Sequence, residues 1–485
     1  MVFTSLTFIL FLALVFALYW ILRSRSPQNF LILVASYVFY GWWDWRFLSL
    51  IVISSVIDFT AGIMIEKSQG RAGRRGWLAL SVCANLGMLG FFKYFNFFAS
   101  SLQSAASSAG VELGNITLDI VLPVGISFYT FQTMSYTIDI YRGQMKSEKD
   151  PIAFLAFVSF FPQLVAGPIE RASRLLPQFM VPRKFDYVIA VAGCREILWG
   201  FFKKMVLADN LGLFVQSVYP RAEDYSSPYL WLATTAFAFQ IYCDFSAYSH
   251  IAKGTARLLG FELMRNFAYP YFSQDIAEFW RRWHISLSTW FRDYVFIPMG
   301  GNRGAMRVVI TNTIIVFAVS GLWHGAAWNY VIWGLLNGLA FLPIYLRPKK
   351  TGEKKKRAGD IPGGETLIPS FRVARNIFVT FSAMLIAWVF FASPTLSGAL
   401  LILKRMFIGW SAENPALLPD SWSVIQVILF TGGLVIFEWV QRRHENPLTL
   451  DKIYRPVRWA IYTIMLWSCF YLLPRPDSPF IYFQF

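Results

Sequence analysis

Uncharged apolar stretches of about twenty residues recur along most of the chain, each long enough to cross a bilayer as a helix. The positions of the basic loops then predict which ends face the cytoplasm. A first span at about 2–22 ends at RSRS, so its C-terminal end is expected inside and the N-terminus outside. It lacks a basic leader and an A-x-A site, and is expected to remain as an uncleaved span. Spans at about 29–45 and 47–65 lead to the basic EKSQGRAGRR, and one at 77–98 leads to the polar SSLQSAASSAGVELGN, which has no Lys or Arg and is expected outside. A span at 116–140 returns to YRGQMKSEK.

The run PIAFLAFVSFFPQLVAGPIE (151–170) departs from this pattern, because it carries Pro162 and Pro168 and has basic loops on both sides. A re-entrant segment keeps both loops inside, and broken helices at membrane depth are tolerated where protein or water surrounds them. Spans near 198–218 and 228–250 follow, then a largely polar or amphipathic stretch over 253–306. An apolar hairpin (307–324 and 328–346) closes on the most basic loop, RPKKTGEKKKRAGDIPGGE. Spans at about 373–393, 424–441 and 457–474 complete some 11–12 crossings in a single integral-membrane domain over residues 1–485, although Lys404 and Arg405 fall on the expected outer side. No internal repeat is visible, which disfavours a transporter built from two related halves.

DIAEFWRRWHISLSTWFRDY (275–294) reads as one amphipathic interfacial helix. Ile276, Phe279, Trp280, Trp283, Leu287, Trp290, Phe291 and Tyr294 fall within an arc of roughly 120°. Glu278, Arg281, Arg282, Thr289, Arg292 and Asp293 take the other side, His284 sits at the border, and Ile285 alone is misplaced. Asp275 and Glu278 have capping-box spacing. Arg281, Arg282 and Arg292 could meet an anionic cytosolic ligand, such as a CoA phosphate or an acidic carrier, or the helix could simply anchor to the headgroup region.

Composition agrees with a polytopic α-helical membrane protein: 56% of residues are hydrophobic, 18% aromatic and only 15% charged, and mean hydropathy is +0.47. The net charge of +16 resides in short loops, as cytoplasmic bias predicts, so no nucleic-acid partner is implied. The four cysteines lie singly within apolar runs, which supports neither a zinc site nor a disulfide framework.

Candidate chemistry centres on His324 in SGLWHGAAWNYVIWG (320–334). Residues 307–324 rise about 27 Å as a helix, which places this imidazole far from the basic ends, in the outer half of the membrane or an outward cavity. Gly321, Gly325, Ala326 and Ala327 leave room for close packing or for a substrate, with Trp328 and Asn329 just beyond. An ionisable residue inside a membrane domain defaults to a functional role, and imidazole suits proton transfer near neutral pH. The alternative is a neutral core histidine bonded to a helix carbonyl. No second His, Cys or carboxylate lies at metal-ligand spacing nearby. Asp244, accompanied by Tyr242, Ser246, Tyr248 and Ser249, is either a polar pivot that orients a base or a satisfied structural carboxylate.

Several stretches resemble the membrane-bound O-acyltransferases (MBOAT), most nearly a bacterial branch that acts on alginate. They are VLPVGISFYTFQTMSYTIDIYRG (121–143), FPQLVAGPIER (161–171), FQIYCDFSAYSHIAKG (239–254), NFAYPYFSQDIAEFWRRWHISLSTWFRDYVFIPMGGNR (266–303) and GLWHGAAWNYVIWGLLNG (321–338). The resemblance implies many helices around a central funnel or tunnel. It also implies a catalytic His324, with His284 on the donor side. A cytoplasmic thioester, acetyl-CoA or an acyl carrier, would be the donor, with no bound cofactor or metal. The implied partners are a periplasmic Ser-His-Asp (SGNH-hydrolase-like) acetyltransferase and a polysaccharide biosynthesis and export complex, in the bacterial inner membrane. Relatives act on alginate, cellulose or peptidoglycan, and a cousin moves D-alanine to teichoic acid. Where relatives typically read DFSGYSDMAIG, this chain has DFSAYSHIAKG, so Ala247, His250 and Lys253 depart and add positive charge near the donor side. A flippase using His324 as a proton relay, or a scaffold that recruits a separate transferase, are the rival functions.

Overall fold

The computed structural model describes residues 1–165, 167–346, 361–364, 366–410, 421–451, 453–472 and 480. All regular structure among the described residues is helical. Most of the basic loop expected at 347–365 and most of the C-terminal tail fall outside the described residues. Among the described residues, six segments are long and apolar enough to cross a membrane: 25–67, 71–108, 306–324, 328–346, 371–392 and 421–441, with Leu6–Ile21 and Pro151–Leu164 apolar but shorter. The remaining expected crossings fall on helices that are shorter or more polar.

Residues 1–194 with 252–264 form one compact unit, and 195–251 with 265–485 another. The first begins with α1 (Leu6–Ile21), α2 (Arg25–Asp44) and α3 (Leu48–Lys67). Helix α4 (Arg71–Leu89) continues through a π turn into α5 (Phe95–Ser108), so the Ser-rich stretch expected as loop is helical as far as Ser108. Ala, Ser and Gln tolerate a helix, and no breaker intervenes before Gly110, whose φ of +80° needs the left-handed region. Helix α6 (Ile126–Tyr141) starts ten residues later than expected, because Pro123 and the left-handed Gly125 (φ +76°) precede it.

Three short helices follow, α7 (Pro151–Val158), α8 (Phe161–Leu164) and α9 (Ala172–Phe179). The run expected to be re-entrant is thus broken at Phe160, just before Pro162, and its eight-residue first piece rises only about 12 Å, too short to span. Between α3, α4 and α6, buried Asp58 accepts hydrogen bonds from Ser81 Oγ at 2.5 Å and Asn85 Nδ2 at 2.8 Å.

The second unit takes the end of α10 (Tyr187–Phe201), which passes through a π segment (Phe202–Ala208) into α11 (Asp209–Val218). It also holds most of α12 (Ser227–Leu258), 32 residues long. The expected amphipathic helix is two helices, α13 (Ile276–Arg282) and α14 (Ile285–Phe291). The hairpin is α15 (Met306–His324) against α16 (Trp328–Leu339), followed by α17 (Leu342–Leu346). Glycines let the hairpin close: a Cβ on Gly321 would lie 2.1 Å from Tyr330 O, and one on Gly334 2.2 Å from Phe317 O. Helices α18 (Phe371–Ala392), α19 (Leu396–Ile408), α20 (Ser421–Gln441) and α21 (Arg455–Tyr471) complete the unit.

Candidate active site

The break between α13 and α14 falls on His284, whose φ of +43° and ψ of 55° place it in the left-handed region. A non-glycine residue there costs about 1–2 kcal/mol, and such strain concentrates at functional positions. Asp275 caps α13 as its spacing predicts, accepting from Glu278 N at 2.7 Å. Glu278 reaches back to Gln274 N at 3.2 Å. The left-handed turn then re-aims the chain, so a single helical wheel cannot hold across it. Arg282, expected on the exposed face, is 1% exposed, with its guanidinium 3.1 Å from buried Glu278. Arg281 is half-buried, and Arg292 is exposed and paired with its neighbour Asp293 at 2.7 Å. Trp283 is core, stacked on Phe279 and packed on Trp388, with ring centres 5.5 and 5.0 Å away.

The turn brings His284 to His324, with ring centres 6.3 Å apart. At this separation both rings can touch one reacting group at about 3–3.5 Å only when they approach it at an angle and not from opposite sides. Both imidazoles are buried, 0% and 3% exposed. Phe245 lies edge-on to His284 at 4.5 Å. Trp333 and Phe391 lie edge-on to His324 at 5.1 and 5.4 Å. Burial in this aromatic shell pushes the His284 imidazole down to about 3, so the ring is neutral at physiological pH. Of the small residues expected to leave room at the hairpin tip, Gly325 is filled by the Tyr330 ring, to which its Cβ would come within 2.2 Å.

The other candidates lie around this pair in supporting positions. Asp244 pairs with Lys204 at 2.8 Å, and Lys204 also lies 2.8 Å from Asp209. The neighbouring Lys203 reaches Glu438 at 2.8 Å, and the Tyr242 hydroxyl donates to the same carboxylate. Asp244 thus shares the single Lys204 cation with Asp209, an arrangement open to either a structural or a positioning role. Tyr248 packs on Phe480 from the C-terminal tail, with ring centres 4.2 Å apart, and Phe480 also touches Phe245 at 5.7 Å. Asn329 donates to the carbonyls of Phe390 and Ser393 at 3.2 and 2.8 Å, closing the end of α18, and Trp328 is exposed. Of the residues that depart from the family pattern, His250 Nδ1 bonds Glu196 and Lys253 Nζ lies 3.7 Å from Glu262. The Ala247 carbonyl faces Gly200, where a Cβ would come within 2.8 Å.

Sequence reasoning missed Asn266. Its Oδ1 faces His284 Nδ1 at 3.2 Å and the Ser286 hydroxyl at 2.9 Å, and its Nδ2 donates to Ser249 Oγ at 3.1 Å. The residue opens the longest family-like stretch, which was the available signal.

The two histidines that the fold brings together lie in RRWHISLSTWF and GLWHG, the segments that most resemble the membrane-bound O-acyltransferase family. The chain belongs to that family, whose model matches residues 145–346, and it is a multi-pass membrane protein. It is 40% identical to the protein named "Probable alginate O-acetylase AlgI" of Azotobacter vinelandii, over 100% of both chains. It is 35% identical to the "Peptidoglycan O-acetyltransferase" of Helicobacter pylori, covering 83% of this chain and 79% of that one. The "Teichoic acid D-alanyltransferase" of Streptococcus thermophilus is 31% identical over 57% of this chain and 70% of its own.

Proposed function

We propose that this enzyme takes an acetyl group from a cytoplasmic thioester, acetyl-CoA or an acyl carrier, and passes it across the bacterial inner membrane for O-acetylation of an exported polysaccharide such as alginate. The observation that carries this is the His284–His324 pair, 6.3 Å apart within the membrane unit, joined to full-length similarity with a protein named as an alginate O-acetylase. His324 acts as general base. It takes the proton of an incoming hydroxyl as that oxygen attacks the thioester carbonyl carbon, the carbon–sulfur bond breaks, and the imidazolium returns the proton to the departing thiolate. His284 serves the donor side. The final acceptor hydroxyl is on the polymer or on a periplasmic SGNH-hydrolase-like partner within a polysaccharide export complex. The N-terminus faces the periplasm, as the basic loops imply.

Both nitrogens of His324 are shielded from solvent, so substrates reach it by displacing the surrounding aromatic side chains, with Arg281 and Arg292 the donor-side cations best placed to meet CoA phosphates. The 35% identity to a peptidoglycan O-acetyltransferase supports a second polymer for the same chemistry.

The test is reconstitution in proteoliposomes with labelled acetyl-CoA. Labelled ester on an added polysaccharide or partner is expected, with release of one CoA per ester. Intact acetyl-CoA with no ester, or label moved across the membrane still as thioester, would replace this function with transport.

A further inference from the structure

His284 occupies the N-cap of α14, yet its side chain makes no capping bond. Asn266 supplies the missing acceptors. Its backbone carbonyl takes the Ile285 N–H at 2.9 Å, and its side-chain Oδ1 takes the Ser286 N–H at 3.3 Å. A backbone N–H can only donate, so the amide atom facing it is the oxygen, whichever way a refined amide might otherwise be drawn.

The same Oδ1 lies 3.2 Å from His284 Nδ1. An amide oxygen can only accept, and the Ser286 hydroxyl, 3.4 Å from the same Nδ1, donates instead to that oxygen at the shorter 2.9 Å, so Nδ1 carries the proton, and in the neutral ring that burial enforces, Nε2 then bears the lone pair. A second observation agrees. Nε2 is buried with no hydrogen-bond partner among the described residues. A proton there would be a buried N–H without an acceptor, the rarest kind of unsatisfied group.

We propose that Asn266 is a positioning residue that locks His284 into the Nδ1–H tautomer, leaving Nε2 as a proton acceptor in the resting enzyme. This rests on the part given to His284 above and sharpens it. In this state the ring can receive a proton, but it cannot donate a hydrogen bond from Nε2 to a thioester carbonyl oxygen. Any stabilisation of the developing oxyanion at resting protonation therefore comes from another group. The same amide caps α14 and so ties the strained turn at His284 to the correct tautomer. Its other end is anchored by the bond from Nδ2 to Ser249 on α12.

The chain has only four histidines, so ¹⁵N-histidine-labelled protein in proteoliposomes can be read by solid-state NMR, with His284→Gln assigning the signal. The wild type is expected to show protonated Nδ1 and unprotonated Nε2 at His284. Asn266→Ala should lose that signature, and kcat should fall about 10- to 100-fold, as for other groups that orient a reactive imidazole. Asn266→Asp caps a helix as well as asparagine and still accepts from Nδ1. It should keep the tautomer and recover much of the rate. A protonated Nε2 in the wild type overturns the proposal, as does an unchanged tautomer in Asn266→Ala. Should the alanine variant fail to fold, the wild-type and aspartate spectra decide. Wild-type protein that shows the expected tautomer but forms no ester from acetyl-CoA would count against the transferase function and leave the tautomer assignment standing.

Discussion

Two clusters of buried ionisable groups in one unit are handled in opposite ways. Beside α12, Lys203 and Lys204 are almost wholly buried, but Lys203 meets Glu438 and Lys204 meets Asp209 and Asp244, all at 2.8 Å. Around the turn between α13 and α14, His284 and His324 are as deeply buried, but aromatic rings surround them and His284 keeps one nitrogen unengaged. A buried charge must be paired, because isolating it in a medium of low dielectric is costly. A neutral imidazole needs no such partner, and a ring atom left unengaged remains available for chemistry. The difference separates groups that hold the bundle from groups suited to reaction.

The largest break in that comparison should come from His324→Ala. General-base catalysis contributes about 10²- to 10⁴-fold, so acetyl transfer should fall by that order while the purified protein keeps its size-exclusion profile. Polymer acetylation at the wild-type rate would remove His324 from the reaction. His284→Ala should give a smaller, donor-dependent loss, measured as kcat/KM for acetyl-CoA against an acyl-carrier thioester. Wild-type values for both donors would end its assignment.

On the ion-pair side the signature should be stability. Lys203→Leu alone leaves the Glu438 carboxylate unmatched and should cost about 3–5 kcal/mol, whereas Lys203→Leu with Glu438→Leu should recover much of it. Thermal unfolding in detergent reads both, and equal losses in the single and double variants would mean the pair is not the determinant. The smallest effect is expected at Arg292, which is exposed and paired only with its neighbour. Arg292→Ala should leave stability within about 0.5 kcal/mol and raise the KM for acetyl-CoA more than for a donor without the nucleotide phosphates. An equal KM change for both would exclude a phosphate contact.

Much of the helical order was legible. The hairpin expected at 307–324 and 328–346 matches α15 and α16–α17 within a residue at each described end, because a long apolar period and small residues at the tip leave few alternatives. The histidines were legible as candidates because ionisable residues in apolar runs are rare. Arg282 and Asn329 were not. Arg282 was assigned from one continuous wheel, and the left-handed His284 broke that periodicity. Asn329 stood out only as a neighbour of the hairpin tip, and its amide closes the end of a helix more than forty residues away in sequence. Asn266 gave no local signal, since an asparagine eighteen residues before a histidine has no periodic relation to it.

Hydrophobic period and loop charge by themselves determined a multi-span helical membrane protein, and the family resemblance of its motifs pointed to an acyltransferase with two candidate histidines. These are local properties, written every few residues. Which imidazole meets which, what the buried lysines pair with, and which nitrogen of His284 holds its proton were decided only by tertiary structure. Each depends on side chains that come together through the packing of separate helices, and on the need to satisfy every donor and buried charge where water is absent.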